Sequence, residues 1–159
     1  MKPILQIRAI GTPQEPWQEA AEAQYIKRLQ AFSTITLFEG KEGHKGSAKP
    51  DLQQTKEREA DELLKLIPNN SFVICLDEHA KTYDSATFSK AIEQWSESGA
   101  RPLTFLIGGS WGLSDRVKQR ADISLSLSPL TMPHALARIV LLEQLYRGLT
   151  ILKGKEYHK

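Results

Sequence analysis

Apolar positions along this chain recur in two alternating rhythms, one of period two and one of period near 3.6, and the alternation itself predicts the architecture. In residues 3–10, Leu5, Ile7 and Ala9 share one face before Gly11-Thr12-Pro13 ends the run, which predicts a strand and a turn. From Pro16 to Phe32, the side chains of Trp17, Ala20, Ala21, Ile26, Leu29 and Phe32 fall near one helical stripe and leave Glu19, Glu22, Lys27 and Arg28 for water. Thr34 to Phe38 is β-branched and aromatic, a short second strand. Asp51 to Ile67 is predicted helical, charged in its first half and apolar in its second, and stops at Pro68-Asn69-Asn70. Phe72 to Leu76 is apolar without interruption, the pattern of a strand covered on both faces. Phe88, Ala91, Ile92 and Trp95 mark an amphipathic helix ended by Gly99, and Leu103 to Ile107 is the next buried strand. Ser114 is placed to cap a short helix running through Ala121, and Ile123, Leu125 and Leu127 alternate with serines in a fifth strand.

Five strands alternating with helices predict an α/β fold, a mostly parallel five-stranded sheet with helices on both faces. At 159 residues without an internal repeat, the chain is expected to form a single domain, 1–159. Its 40% hydrophobic and 25% charged residues exclude the disordered class, and no apolar run is long enough for a bilayer span. Gln6 and Arg8 interrupt the apolar N-terminus, so no signal peptide is expected and the protein is placed in the cytoplasm. A net charge of +2 is too small to identify a nucleic-acid partner by itself. Locally, Arg147, Lys153, Lys155 and Lys159 outnumber Glu156 near the C-terminus, a distribution suited to phosphates and equally to a solvated tail. The single cysteine, Cys75, lies inside an apolar strand and reads as a small buried hydrophobe. From Gly40 to Pro50, three glycines and three lysines stand with almost nothing apolar, the composition of a mobile surface loop. His44 there has no partner at ligand spacing, and no metal is expected.

Parallel sheets bind ligands beyond the carboxyl ends of their strands, which directs attention to the loops that begin at Leu76, Gly108 and Leu127. Gly108, Gly109 and Gly112 allow a sharp turn and close approach of backbone to ligand, although a tight strand-to-helix turn needs the same residues. The P-loop lysine and the dinucleotide fingerprint are both missing, which argues against a nucleotide hydrolase or oxidoreductase. Leu127, Leu130 and Met132 interleave with Ser128, Pro129 and Thr131, so the loop offers backbone groups for the edge of a flat heterocycle and apolar side chains for its faces. Beyond it, residues 134–152 form a helix apolar nearly all round, either central or shared with a second chain. His134 and Arg138 share one of its faces, Glu143 and Arg147 the opposite one, at the spacing of an intrahelical ion pair.

At these residues a family becomes recognisable. Ile107-Gly108-Gly109-x-x-Gly112-Leu113-Ser114, Leu130-Thr131-x-Pro133-His134-x-x-x-Arg138, Glu143-Gln144-x-Tyr146-Arg147 and the terminal Tyr157-His158-Lys159 together resemble the ribosomal RNA large-subunit methyltransferase H family of the SPOUT superfamily. Tyr25-x-x-Arg28-Leu29 and Leu76-Asp77 with Lys81 extend the likeness over essentially the full length, while Ala80 stands where glycine often precedes the lysine. The resemblance implies a trefoil-knotted fold and a homodimer that uses S-adenosylmethionine, without a metal, to methylate N3 of a pseudouridine in helix 69 of 23S ribosomal RNA within the 70S ribosome. By that similarity Leu76, Gly108, Leu127, Ser128, Pro129, Leu130, Thr131 and Met132 hold the donor. Arg138, Tyr157 and His158 are the catalytic candidates, and His134, Arg147 and Lys159 the substrate-binding ones. The competing expectation is a ribosome-binding factor that keeps the fold and lacks catalysis.

Overall fold

The computed structural model describes residues 2–44, 49 and 51–159. Its elements alternate as β1 (Ile4–Ile10), α1 (Pro16–Leu29), β2 (Thr34–Gly40), α2 (Leu52–Leu64), β3 (Phe72–Lys81), α3 (Ser85–Trp95), β4 (Leu103–Ile107), α4 (Asp115–Arg120), β5 (Ile123–Leu125) and α5 (His134–Leu152). Every strand pairing is parallel, and the strands lie in the order β2-β1-β4-β3-β5. All five residues of β4 are buried, as an apolar strand between two others and between two layers of helices must be.

Two hydrophobic clusters flank the sheet. On one side Leu5, Ile7, Ile74 and Phe105 meet Leu29 of α1, Phe88 and Ile92 of α3, and Leu141, Leu142, Leu145 and Leu149 of α5. On the other, Val73, Cys75 and Leu106 meet Ala60 and Leu63 of α2 and Val117 of α4. Each fully buried Leu, Ile or Phe contributes about 1.5–3 kcal/mol of transfer free energy, so the layers hold the sheet from both faces. Three helices start on side-chain caps, with Asp51, Asp84 and, as the sequence suggests, Ser114 accepting from the backbone N–H groups of Gln54, Thr87 and Val117.

Some expectations shift. Trp17 is 57% exposed and Glu22 is buried, the reverse of the amphipathic reading of α1, because an arginine of α5 pulls the Glu22 carboxylate inward. Strand β3 runs beyond Leu76 to Lys81, with Leu76 and Lys81 both in register with Leu125 across a bulge. Strand β5 stops at Leu125 rather than Leu127, because Ser126 turns to β3 and donates its N–H to the Lys81 carbonyl (2.9 Å). Within the loop expected between Gly40 and Pro50, residues 45–48 and 50 lie outside the described residues, and Gly40 itself closes β2 opposite Ile10. No residue of α5 is fully exposed, since α1, α3 and the sheet of the same chain surround most of it. The contact with α3 requires Gly148, where a Cβ would stand 2.7 Å from Ile92 Cδ1, and the Ser89 hydroxyl donates to the Gly148 carbonyl.

Candidate active site

A cavity of about 440 Å³ opens where β3, β4 and β5 end, and the loops that follow those strands supply most of its wall. Leu76, Gly108, Leu127, Ser128, Leu130, Thr131 and Met132 all line it, together with His134; Pro129 stands outside the lining. Thus three segments separated in sequence by up to about a third of the chain converge, as parallel topology demands of strand ends.

The β4–α4 turn is shaped by its glycines. The Gly112 N–H donates to the Gly109 carbonyl (3.1 Å), and Gly112 sits at φ 85°, a conformation that disfavours side chains. A Cβ on Gly108 would meet Leu113 Cδ2 at 2.8 Å and the Gly112 carbonyl at 3.2 Å, so the strand end and the turn touch only because the side chain is absent. Behind the turn lies Glu59 of α2, 2% exposed, whose Oε2 accepts from the Gly43 N–H (3.1 Å) and whose carboxylate stands 3.1 Å from where a Gly109 Cβ would be. Burial pushes the Glu59 carboxyl above its usual range, against the Gly43 N–H that favours its charged form. Sequence reasoning missed Glu59 because the charged half of an amphipathic helix carries no sign that one of its carboxylates faces inward.

The β5–α5 loop is pinned to the end of β3. Ser126 donates its hydroxyl to the Glu78 carbonyl (3.1 Å), Thr131 donates to Glu78 Oε2 (2.6 Å), and the Leu130 N–H donates to Ser128 Oγ (3.0 Å). Leu130 is left 78% exposed at the rim. Asp77, Glu78, His79, Lys56 and Lys118 also line the cavity; the first three follow the β3 apolar run directly and were legible there as the polar end of a ligand-facing strand. Lys118 Nζ lies 3.9 Å from Asp77 Oδ2, across the opening.

His134 and Arg138 diverge despite sharing a helix face. His134 lines the cavity, whereas Arg138 is 1% exposed and absent from its lining. Arg138 donates to the Gly11 carbonyl (3.1 Å), Glu22 Oε1 (2.9 Å) and Glu39 Oε2 (2.7 Å), clamping α5 to α1 and to the ends of β1 and β2. Burial raises the Glu22 carboxyl, and the charge and hydrogen bond of Arg138 oppose that rise.

The tail folds back on the C-terminal half of α5 in its own chain. Tyr157 donates its hydroxyl to Glu143 Oε2 (2.8 Å), and its ring lies edge-on to Tyr146 with centroids 4.8 Å apart. Arg147 donates to Glu143 Oε1 (2.7 Å), covers the Tyr157 ring and comes within 3.3 Å of His158 Nδ1. Burial, reinforced by Glu143, pushes the Tyr157 hydroxyl up to about 12. Tyr157, His158 and Arg147 therefore form one cluster with Glu143, and neither these three nor Lys159 line the cavity of the same chain. Among the described residues no group of three or more His, Cys, Asp or Glu side chains is placed to hold a metal ion.

Comparison with known proteins agrees with this arrangement. A family model described as "Predicted SPOUT methyltransferase" matches residues 4–158. The chain is 39% identical over 151 residues to "Ribosomal RNA large subunit methyltransferase H" of Thioalkalivibrio sulfidiphilus, covering 95% of this chain and 96% of that one. It is 38% identical over 157 residues to the protein of the same name from Enterococcus faecalis, covering 98% and 99%. Among solved structures, a probable methyltransferase from Bordetella pertussis superposes with TM-score 0.58 at 13% identity, covering 92% of this chain and 95% of that one. The SpoU methyltransferase AviRb from Streptomyces viridochromogenes superposes with TM-score 0.51 at 17% identity, covering 98% and 62%, so both likenesses speak to the fold. The matched span takes in all three strand-end loops, the long helix and Tyr157-His158, and the chain belongs to the SPOUT methyltransferase family.

Proposed function

We propose that this chain methylates large-subunit ribosomal RNA with S-adenosylmethionine, the donor used by SPOUT methyltransferases. The target is N3 of a pseudouridine in helix 69 of 23S ribosomal RNA on the assembled 70S ribosome. The working form is a cytoplasmic homodimer, and the C-terminal half is tied in a trefoil knot. The observation that carries the reading is the cavity at the ends of β3, β4 and β5, walled by Leu76, Gly108 and residues of the Leu127–Met132 loop. Relatives named as ribosomal RNA large subunit methyltransferase H at 36–42% identity supply the substrate class.

The cavity suits a nucleoside carrying a charged thioether. Leu76, Leu127 and Met132 offer apolar walls, and the β4–α4 and β5–α5 loops offer backbone groups for a heterocycle edge. Pro129, outside the lining, shapes the β5–α5 loop. A bound sulfonium donor brings an already activated methyl group. What remains for the protein is alignment of an in-line displacement and removal of the N3 proton. Gly108 and the pinned Ser126–Thr131 segment hold the donor side rigid. His134, at the cavity wall, is placed for the substrate side.

Tyr157 and His158 are docked on α5 away from the cavity of their own chain, which supports a site closed by the tail of a second subunit. In that composite site Tyr157 supplies a stacking surface, His158 a titratable imidazole, and Arg147 and Lys159 bind phosphate. Arg138 acts through the position of His134 and α5, by way of its clamp on Gly11, Glu22 and Glu39.

The test is incubation of 70S ribosomes with the protein and S-adenosylmethionine, followed by nuclease digestion and mass spectrometry of the nucleosides. A methyl increment on a pseudouridine from the 23S fraction is expected. Ribosomal RNA that stays unmodified, with donor bound to the protein, overturns the reading.

A further inference from the structure

The β4–α4 turn carries more than the donor wall. Between Gly109 and Gly112 the chain reverses in a tight turn whose tip is Ser110-Trp111, and Ser110 and Gly112 on either side of the tryptophan line the cavity. Trp111 is 42% exposed. Of the six large hydrophobics that stand exposed among the described residues, Trp111 and Leu130 are the two placed on the loops around this one opening. Exposed apolar surface gathered at the rim of a cavity marks a place where a ligand covers it. Leu130 belongs to the β5–α5 loop and lines the cavity, whereas the Trp111 side chain stands outside the lining.

Trp111 is also presented for stacking. The imidazole of His44, from the β2–α2 connection, meets its ring at an interplanar angle of 69° with centroids 6.3 Å apart, an edge contact that orients the indole. No ring or cation is stacked flat on it among the described residues. Trp95 shows the contrast: it stacks on Phe72 at 15° and takes the edges of Tyr83 and Phe88, a core tryptophan with its faces used. Lys56 of α2 and Lys118 of α4 line the same cavity, Lys118 with its Nζ 3.9 Å from Asp77 of β3. Lysines in a cavity with an exposed indole on the turn at its edge offer what single-stranded nucleic acid uses, a cation for the phosphate and a π-face for the base.

We propose that Trp111 is a base-stacking platform for the RNA substrate, holding an unpaired nucleobase at the mouth of the donor cavity while Lys56 and Lys118 meet its backbone. The inference rests on the functional reading above and adds a substrate contact supplied by the same turn that holds the donor. Stacking tolerates every base, so Trp111 contributes affinity and register and leaves base identity to other groups. Opened loops of RNA, whose bases are free of the duplex, are the substrates such a platform accepts.

The experiment compares the full-length protein with its Trp111→Ala and Trp111→Phe variants. Donor affinity is read by calorimetry with S-adenosylmethionine, ribosome affinity by sedimentation with 70S particles, and methyl transfer by kcat and by KM for ribosomes. For Trp111→Ala, ribosome affinity falls and KM rises by about 10-fold or more, within the range for loss of one aromatic–base stack. Donor affinity and kcat at saturating ribosomes hold, and Trp111→Phe, which keeps a ring, recovers most of the loss. A Trp111→Ala protein with wild-type KM overturns the inference while leaving the methyltransferase reading intact. Equal weakening of donor and ribosome binding also overturns it, by assigning Trp111 to the donor pocket. A wild-type protein that neither binds nor methylates ribosomes refutes the functional reading and takes the inference down with it.

Discussion

Replacing Arg138 by methionine separates a role in the chemistry from a role in the architecture. The side chain is 1% exposed and holds three acceptors, the Gly11 carbonyl, Glu22 and Glu39, which belong to the β1–α1 connection, α1 and β2. Methionine fills much of the volume and leaves the Glu22 carboxylate buried without its partner. Removing one member of a buried ion pair costs about 3–5 kcal/mol, because the charge left behind is uncompensated. At about 2–4 °C per kcal/mol for a domain of this size, the melting temperature of Arg138→Met falls by about 6–20 °C.

The deficit depends on pH, with a definite sign. Burial already raises the Glu22 carboxyl in the native state, and Arg138 opposes the rise through its charge and hydrogen bond. Without Arg138 the native carboxyl rises further. A group raised on folding binds its proton more tightly in the folded chain, so its contribution is fully present below the unfolded pKa and lost as pH rises through the folded one. The gap between variant and wild type is therefore widest at neutral pH and narrows as the solution is brought toward the carboxylate range. A second substitution, Glu22→Gln, restores part of the loss by removing the stranded charge. Thermal unfolding by circular dichroism at a series of pH values is the assay. A stable Arg138→Met protein whose methyl transfer is abolished would refute the clamp and assign the guanidinium to catalysis; a deficit independent of pH would remove Glu22 from the account.

Three further outcomes follow from the geometry. Gly108→Val drives a branched side chain into Leu113 Cδ2 and the Gly112 carbonyl, and calorimetry with S-adenosylmethionine should show binding lost; unchanged affinity means the cavity is not the donor site. Deleting Tyr157 to Lys159 removes a cluster outside the cavity of its own chain, so donor binding and dimerisation should persist while methyl transfer disappears, and a normally active truncation sinks the composite site. In a spectrophotometric titration, Tyr157 should ionise only near pH 12, since burial and Glu143 push its hydroxyl up to about 12; that transition should vanish in Tyr157→Phe, and a titration in that range unchanged by the substitution contradicts the contact with Glu143.

Sequence alone was sufficient for the element order, the parallel sheet, both helix layers and most of the cavity wall. Those features rest on local physics: the period of apolar positions sets element type, uninterrupted apolar runs such as Phe72–Leu76 and Leu103–Ile107 demand cover on both faces, and strand ends in a parallel sheet gather in one place. The loops after Ile107 and Leu125 were legible for that reason, and they meet around one cavity with residues 76–79, which the sequence places in a loop and the structure in β3. Only tertiary structure decided where individual charges went. Glu22, Glu59 and Arg138 all carry polar side chains on helices, and periodicity assigns such residues to water or to a site. Burial beside a specific partner is a matter of which helix packs where, and that is set by contacts between residues more than a hundred positions apart, as between Arg138 and Glu22. The same holds for the tail: its basic composition suited phosphates or a solvated extension, while the hydrogen bond from Tyr157 to Glu143 and the ring of Tyr146 determine that one chain docks it on α5, away from its own cavity.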